Sequence, residues 1–311
     1  LRRIGERVAQ LTRRADAVFV DDVMPALALE GIRFSSWAQL GHDDQAQLTE
    51  MFTREIYPVL TPLAVDPAHP FPYISNLSLN LAVMVIDPTD GDRRFARVKV
   101  PPLLPRFVVL PDGERFVPLE QIIGAHLGQL FPGMTVDGHV AFRVTRNADL
   151  DVEEEEAADL LAAIELEVRR RRFGRAVRLE VEEGMDPQIV SLLQRELDLG
   201  DEDTYTHRGP LDLGGLWTVY GIDRPDLTDP EFVPVTQRAL QPEEGGAIDL
   251  FALLDRRDVL VHHPYDSFAT SVEELIVQAS TDPAVLAVKI TLYRTSGDSP
   301  IVAALIRAAE A

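Results

Sequence analysis

The run Val285 to Leu292 constrains this chain most: it is almost continuously apolar, yet far shorter than a membrane helix needs. Such a run suits a parallel strand covered on both faces, because crossover helices lie over each side of a parallel sheet. Its surroundings predict a strand–helix–strand–helix unit over 258–311. Val259-Leu260-Val261-His262-His263 reads as a first short strand, and Pro264-Tyr265-Asp266-Ser267 breaks it. Val272, Leu275, Ile276 and Ala279 then mark one face of a helix. After the second strand comes the polar loop Tyr293-Arg294-Thr295-Ser296-Gly297-Asp298, with Ser299 as N-cap and Pro300 at the first helical position of a helix over 300–310. A parallel strand ending in such a loop offers free backbone N–H groups to an anion.

The rest of the chain is long enough to add a second core: 311 residues suit about two domains. With 46% hydrophobic and 26% charged residues the balance is that of a globular protein. No cysteine is present, which excludes disulfides and thiolate metal sites. No apolar run approaches the ~20 residues of a membrane helix. The first residue, Leu1, already lies inside a helical pattern, so the chain reads as a piece of a longer protein. A net charge of −21 disfavours long-range attraction of nucleic acid or any other polyanion. A polyanion site would need a local concentration of cations. Two candidates exist: Arg93, Arg94, Arg97, Lys99 and Arg106, and the run Arg169 to Arg172 with Arg175.

Upstream, Leu1, Ile4, Val8, Leu11, Ala15 and Phe19 repeat at helical spacing towards Leu29, with Pro25 as a kink and Gly31 beyond the end. A second helix is predicted from Asp43 or Asp44 as N-cap, carrying Leu48, Phe52 and Ile56 inward. The proline-rich stretch 61–73 reads as an ordered connector or binding loop, neither strand nor helix. Alternation predicts a half-buried strand over 77–87, a turn at Asp87-Pro88-Thr89-Asp90-Gly91, and an antiparallel partner over 95–100. A helix around 118–130 and a strand near 139–146 follow. The helix over 153–172 is the clearest, with Glu153 to Glu156 at its start and the arginine run at its end. A strand at 176–182 and a helix from Pro187 to Leu199, capped by Asp186 and stopped by Gly200, close an α+β region. Residues 222–245 read as an extended connection.

Few patterns carry chemistry. Seven histidines (His42, His69, His126, His139, His207, His262 and His263) show no zinc spacing. His262 and His263 would point to opposite faces of a strand, one core-facing and one loop-facing. There is no Gly-x-Ser-x-Gly elbow, Walker loop or dinucleotide fingerprint. Acidic residues at 153–156 and basic ones at 169–172 are explained by helix-end compensation, although the glutamates also suit a metal and the arginines phosphate. Arg294 is delivered to the carboxyl edge of a parallel unit, where open α/β sheets place ligands. Its guanidinium fork matches phosphate oxygens, and an ion pair with Asp298 would use the same geometry.

Several long segments then resemble bacterial polyphosphate kinase of the histidine-phosphorylating type. They are Val261-His262-His263-Pro264-Tyr265-Asp266-Ser267-Phe268, Gln278-Ala279-Ser280, Asp282-Pro283, Ala287 to Arg294, and Gly297-Asp298-Ser299-Pro300-Ile301. Upstream, Leu60 to Asp66, His69-Pro70-Phe71-Pro72 and Ser75 to Leu81 are similar to the same family's head domain. The resemblance is collinear over essentially the whole chain. It implies reversible transfer of the terminal phosphate of ATP to inorganic polyphosphate through a phosphohistidine, with Mg2+. It implies residues 1–31 as the last helix of an N-terminal helical domain and 32–240 as an α+β head domain. Residues 241–311 would be the first β-α-β-α part of a phospholipase D-like catalytic domain. It implies Arg294 as the arginine of the Mg-nucleotide and polyphosphate site, gripping phosphate oxygens since a guanidinium has no lone pair for a metal. ATP or ADP, polyphosphate and further copies of the chain are the implied partners, with no nucleic acid. The implied setting is cytoplasmic, peripheral if the protein meets a membrane.

The chain departs from the family pattern at its nucleophile. The phosphorylated histidine of the family sits in a His-x-Lys context, and none of the seven histidines here is followed two residues later by lysine. The chain alone is therefore expected to turn over nothing. Two other readings compete: a non-catalytic head module for oligomerisation or polyphosphate docking, and a phospholipase D-like hydrolase of another substrate.

Overall fold

A computed structural model describes residues 2–65, 71–147, 174–241, 246, 248–292 and 299–310. The chain divides into two compact units, Leu1–Asp223 and Arg224–Ala311.

The first unit is built on a six-stranded sheet. Its strands are β2 (Pro62–Ala64), β3 (Leu79–Ile86), β4 (Arg93–Lys99), β7 (Thr135–Arg146), β8 (Ala176–Glu182) and β9 (Thr204–His207), in the order β2-β4-β3-β7-β8-β9. All pairings are antiparallel except β8 with β9. The expected hairpin is present, from Asn80 opposite Lys99 to Ile86 opposite Arg93.

Period-two alternation sends β3 to both sides of the sheet, and both sides are covered. Leu81, Val83 and Val85 face a core shared with Leu48, Phe52, Ile56, Ile122, Ile123 and Leu127, from the helical segments 42–56 and 119–130. Ala82 and Met84 face a second core with Phe142, Val144, Leu179, Val181 and the Ile189, Leu193 and Leu197 stripe of the helix Pro187–Leu197. Strand β3 is thus buried on both faces rather than half-buried, as its lack of polar residues between Leu81 and Ile86 allows.

A smaller sheet has the order β1-β6-β5, with β1 (Arg33–Phe34) parallel to β6 (Arg115–Pro118) and β5 (Phe107–Val109) antiparallel to it. Ile32, Phe107, Phe116 and Val219 form its core. None of these short strands was expected, since two to four residues carry no period.

Helix ends follow local chemistry. The first helix runs Arg2–Ala17, passes through a π-helical stretch at Val18–Val23 and resumes as Met24–Leu29. The Met24 N–H bonds the Phe19 carbonyl just before Pro25, so the wider turn accommodates a residue that has no N–H to give. Gly31, at φ +91°, ends the helix as expected. The second helix starts at His42 after Gly41, placing Asp43 and Asp44 in its first turn rather than at its cap. Asp186 caps Pro187–Leu197 by accepting from the Gln188 N–H, but the stop is Asp198 in the left-handed region, not Gly200.

Two further expectations are corrected. Pro62–Ala64, expected to be neither strand nor helix, is an edge strand, where proline is tolerated because no outward ladder bond is lost. In the second unit, 259–263 and 285–292 form no ladder among the described residues, and Leu286 is 98% exposed. A parallel pair has slanted, weaker bonds and needs flanking strands; the described residues place none beside these segments. The helices between and after them are present, as Ala269–Glu273 continuing into Glu274–Ala279, and as Pro300–Glu310. The predicted helix over 153–172 lies outside the described residues.

Candidate functional site

Arg294 and the rest of the polar loop 293–298 lie outside the described residues, so the site is read from what flanks them. On one side, Ser299 opens the helix Pro300–Glu310 and its carbonyl accepts from the Ala303 N–H. On the other, the segment 261–268 is a tight turn organised by Asp266. The Asp266 carboxylate accepts from the His262 N–H at 2.7 Å, its N–H returns to the His262 carbonyl at 2.8 Å, and its carbonyl meets His263 Nδ1 at 3.0 Å. The turn is tied to the preceding connection by Val235, whose N–H bonds the Tyr265 carbonyl and whose carbonyl accepts from Ser267. His262 is exposed and His263 half-buried, though a turn and not strand alternation separates them. Gln278 has an equally structural role. Its side chain accepts from the Leu250 N–H and donates to the Ile248 carbonyl, fixing the start of the helix Leu250–Leu254 against Glu274–Ala279.

In the first unit the cations of 93–106 separate into two kinds. Arg93 lies 2.8 Å from Asp137 and 3.3 Å from Asp186. Asp186 is held below the usual carboxylate range first by the Gln188 N–H, against its burial, and then by Arg93. Arg94 is clasped by Asp87 and Asp90, and Arg106 is paired two-pronged with Glu120 beneath the surface. These three are neutralised. Arg97 and Lys99 meet no carboxylate among the described residues. Arg97 is only 6% exposed, and its Nε donates to Asn80 Oδ1 at 2.9 Å. Burial alone pulls its guanidinium below its ordinary value. Lys99 Nζ lies 3.4 Å from Ser75 Oγ. Of the second candidate, Arg169 to Arg172 lie outside the described residues and Arg175 pairs with Asp198 at 3.2 Å.

The described histidines are structural where they are buried. His126 stacks on Phe52 with ring centroids 4.3 Å apart, and its nitrogens reach the Ile122 carbonyl and Thr49 Oγ1. His207 sits between Asp16, at 3.1 Å from Nδ1, and Glu180, at 3.4 Å from Nε2. Burial lowers its affinity for a proton, but the two carboxylates outweigh it and hold His207 above the usual histidine value. Sequence reasoning missed this pairing because Asp16 and His207 are remote in the chain and neither belongs to a motif. It also missed the Asn80 contact, although a lone Asn in an otherwise apolar strand is a visible signal.

Among the described residues no group of three or more His, Asp or Glu side chains is arranged to hold a metal, and no helix is long and apolar enough to cross a membrane.

A model of the polyphosphate kinase middle domain matches residues 43–219, and a model of polyphosphate kinase C-terminal domain 1 matches residues 249–311. The polyphosphate kinase of Streptomyces coelicolor is 57% identical over 311 residues, covering 100% of this chain and 42% of that protein. Those of Mycolicibacterium gilvum and Mycobacterium tuberculosis are 55% and 53% identical, again over 100% of this chain and over 43% and 44% of theirs. The crystal structure of polyphosphate kinase from Porphyromonas gingivalis superimposes with a TM-score of 0.75 at 26% identity, covering 99% of this chain and 45% of that one. The chain thus spans less than half the length of these relatives.

Proposed function

The chain belongs to the polyphosphate kinase family, and from that premise we propose that a protein carrying it moves the terminal phosphate of ATP reversibly to inorganic polyphosphate. The observation that supports this most is the collinear match of two successive domain models, over 43–219 and 249–311. On this reading residues 1–31 are the last helix of an N-terminal helical domain, 32–240 the head domain and 241–311 the opening of a phospholipase D-like catalytic domain. The protein works in the cytoplasm.

Arg294 grips phosphoryl oxygens in this reading. A guanidinium presents a fixed fork of donors, and a phosphoryl group in transfer spreads charge over its oxygens, so positioning and charge stabilisation are what such a side chain contributes. Mg2+ is not held by a carboxylate–histidine set of the described residues. If Mg2+ is used it would come with the nucleotide, and Arg294 would serve the phosphate oxygens and not the ion, since a guanidinium has no lone pair to give a metal.

The covalent step belongs to a histidine in a His-x-Lys context that these 311 residues do not contain. A nitrogen nucleophile splits the transfer into two displacements, and no oriented arginine replaces it. The chain by itself is therefore inactive. Incubation with γ-labelled ATP and polyphosphate should leave polymer and protein unlabelled. Label in the polymer would contradict the inactivity, and acid-labile label on the protein would contradict the placement of the nucleophile.

A further inference from the structure

Arg97 and Lys99, which meet no carboxylate among the described residues, sit in a built environment. Arg97 and Lys99 are two apart on β4, so both side chains leave the same face of the sheet, about 7 Å apart along the strand. Asn80 and Ala82 on β3 lie opposite them on that face. The polar groups around them are joined in one chain. Lys99 Nζ approaches Ser75 Oγ; the Ser75 carbonyl accepts from Ser78 Oγ at 2.7 Å; Asn80 Nδ2 donates to the Ser78 carbonyl and hydroxyl at 2.9 and 3.1 Å; Asn80 Oδ1 accepts from Arg97. Asn80 is fully buried, and its amide is fixed at both ends.

That arrangement orients the guanidinium without neutralising it. Nε is engaged, while the terminal nitrogens of Arg97 donate to no described residue. Leu63, paired with Arg97 from the edge strand β2, is exposed and Lys99 is half-buried, whereas Arg97 itself is buried, so this face is approached from the Lys99 side. The contrast with the neighbours is informative. In a chain of net charge −21, Arg93, Arg94 and Arg106 each have carboxylates at hand, whereas among the described residues these two cations have only neutral amide and hydroxyl groups. A buried cation held by neutral groups is costly unless an anion completes it.

We propose that Arg97 and Lys99 form an accessory phosphate-binding site on this face, taking successive phosphoryl groups of one phosphate chain. The chemistry they read is shared by polyphosphate and by the triphosphate of a nucleotide. The choice of a phosphate chain over other oxyanions rests on the polyphosphate reading above, whereas the cation pair and its lack of a carboxylate partner among the described residues do not.

Calorimetric titration of the 311-residue chain with sodium polyphosphate, and separately with ATP, tests this when run on Lys99→Ala, Lys99→Glu, Lys99→Arg, Arg97→Gln and Arg294→Ala. Lys99→Ala should weaken polyphosphate binding about tenfold, as expected for one charge-assisted contact. Lys99→Glu should abolish the salt-sensitive part and Lys99→Arg should restore it. Arg97→Gln should act in the same direction; since Arg97 is buried, a fall in Tm would remove that variant, and the Lys99 series then decides. Loss with polyphosphate but not with ATP assigns the site to the polymer, and equal loss with both assigns it to a triphosphate. Arg294→Ala binding like the wild type, with Lys99→Glu defective, would support this site and sink the Arg294 reading instead. The proposal is overturned if the Lys99 variants bind like the wild type, if Arg294→Ala alone removes all binding, or if the wild type binds neither anion.

Discussion

At the scale of single residues, Arg106 and Glu120 show how the chain handles a charge that it buries. Their side chains are 8% and 5% exposed, and a third partner, the Leu211 carbonyl, takes a further guanidinium N–H at 3.2 Å. Burial raises the Glu120 carboxyl, to about 7, and Arg106 pulls against it. Removing one partner strands the other in a low-dielectric site. Glu120→Ala should therefore destabilise the chain by about 3–5 kcal/mol in urea unfolding, and a paired apolar replacement (Arg106→Met with Glu120→Leu) should cost much less. An equal loss in single and double variants would show that packing, not the stranded charge, sets the cost. Gly215 belongs to the same neighbourhood, because a Cβ there would come within 2.5 Å of the Arg106 stem.

At the scale of elements, the first helix is held to the sheet edge by the Asp16–His207 contact. Asp16 also accepts from the Arg208 N–H, Glu180 is braced by Arg143 and Arg178, and Arg208 pairs with Asp21. His207 is held above its ordinary value, so the folded chain favours its protonated form. The clamp's contribution is thus complete below about pH 6.5, the ordinary histidine value, and is lost as pH rises through the raised value in the fold. Thermal melts from pH 6 to pH 9 should show the wild type losing a stability increment that His207→Gln lacks throughout, about 2 kcal/mol at the acid end. Parallel pH curves for the two proteins would refute the clamp.

Elements with several turns or a full alternation were legible in the sequence. Strand β8 and the start of Pro187–Leu197 fall where their patterns put them, because Pro at the first helical position and Asp before it leave little choice. The small β1-β6-β5 sheet was not legible, since its strands exist only through pairing between distant segments. Of the candidate cations, the sequence showed the cluster 93–106 but not which members were neutralised. That depends on Asp137, Asp186 and Glu120, brought in by the fold.

At the scale of the whole molecule, the two units differ in how their backbones are satisfied. The first has a six-stranded sheet between two apolar cores. In the second, the turn at 261–268 and the helices are hydrogen-bonded, but the two apolar segments expected as strands have no ladder among the described residues. Amide exchange should therefore be faster over 258–292 than over 79–146, because segments with few buried contacts open at little cost. The reverse order in exchange mass spectrometry would contradict this account.

Those unladdered segments also bear on how the chain behaves in quantity. Val285 to Leu292 joins strong β-formers to a displayed backbone, which is the makings of a steric zipper between copies. Lys289 is the lone gatekeeper in that octet. Turbidity in a concentrated preparation would begin there, and a further lysine at Val288 would be the smallest change that delays it.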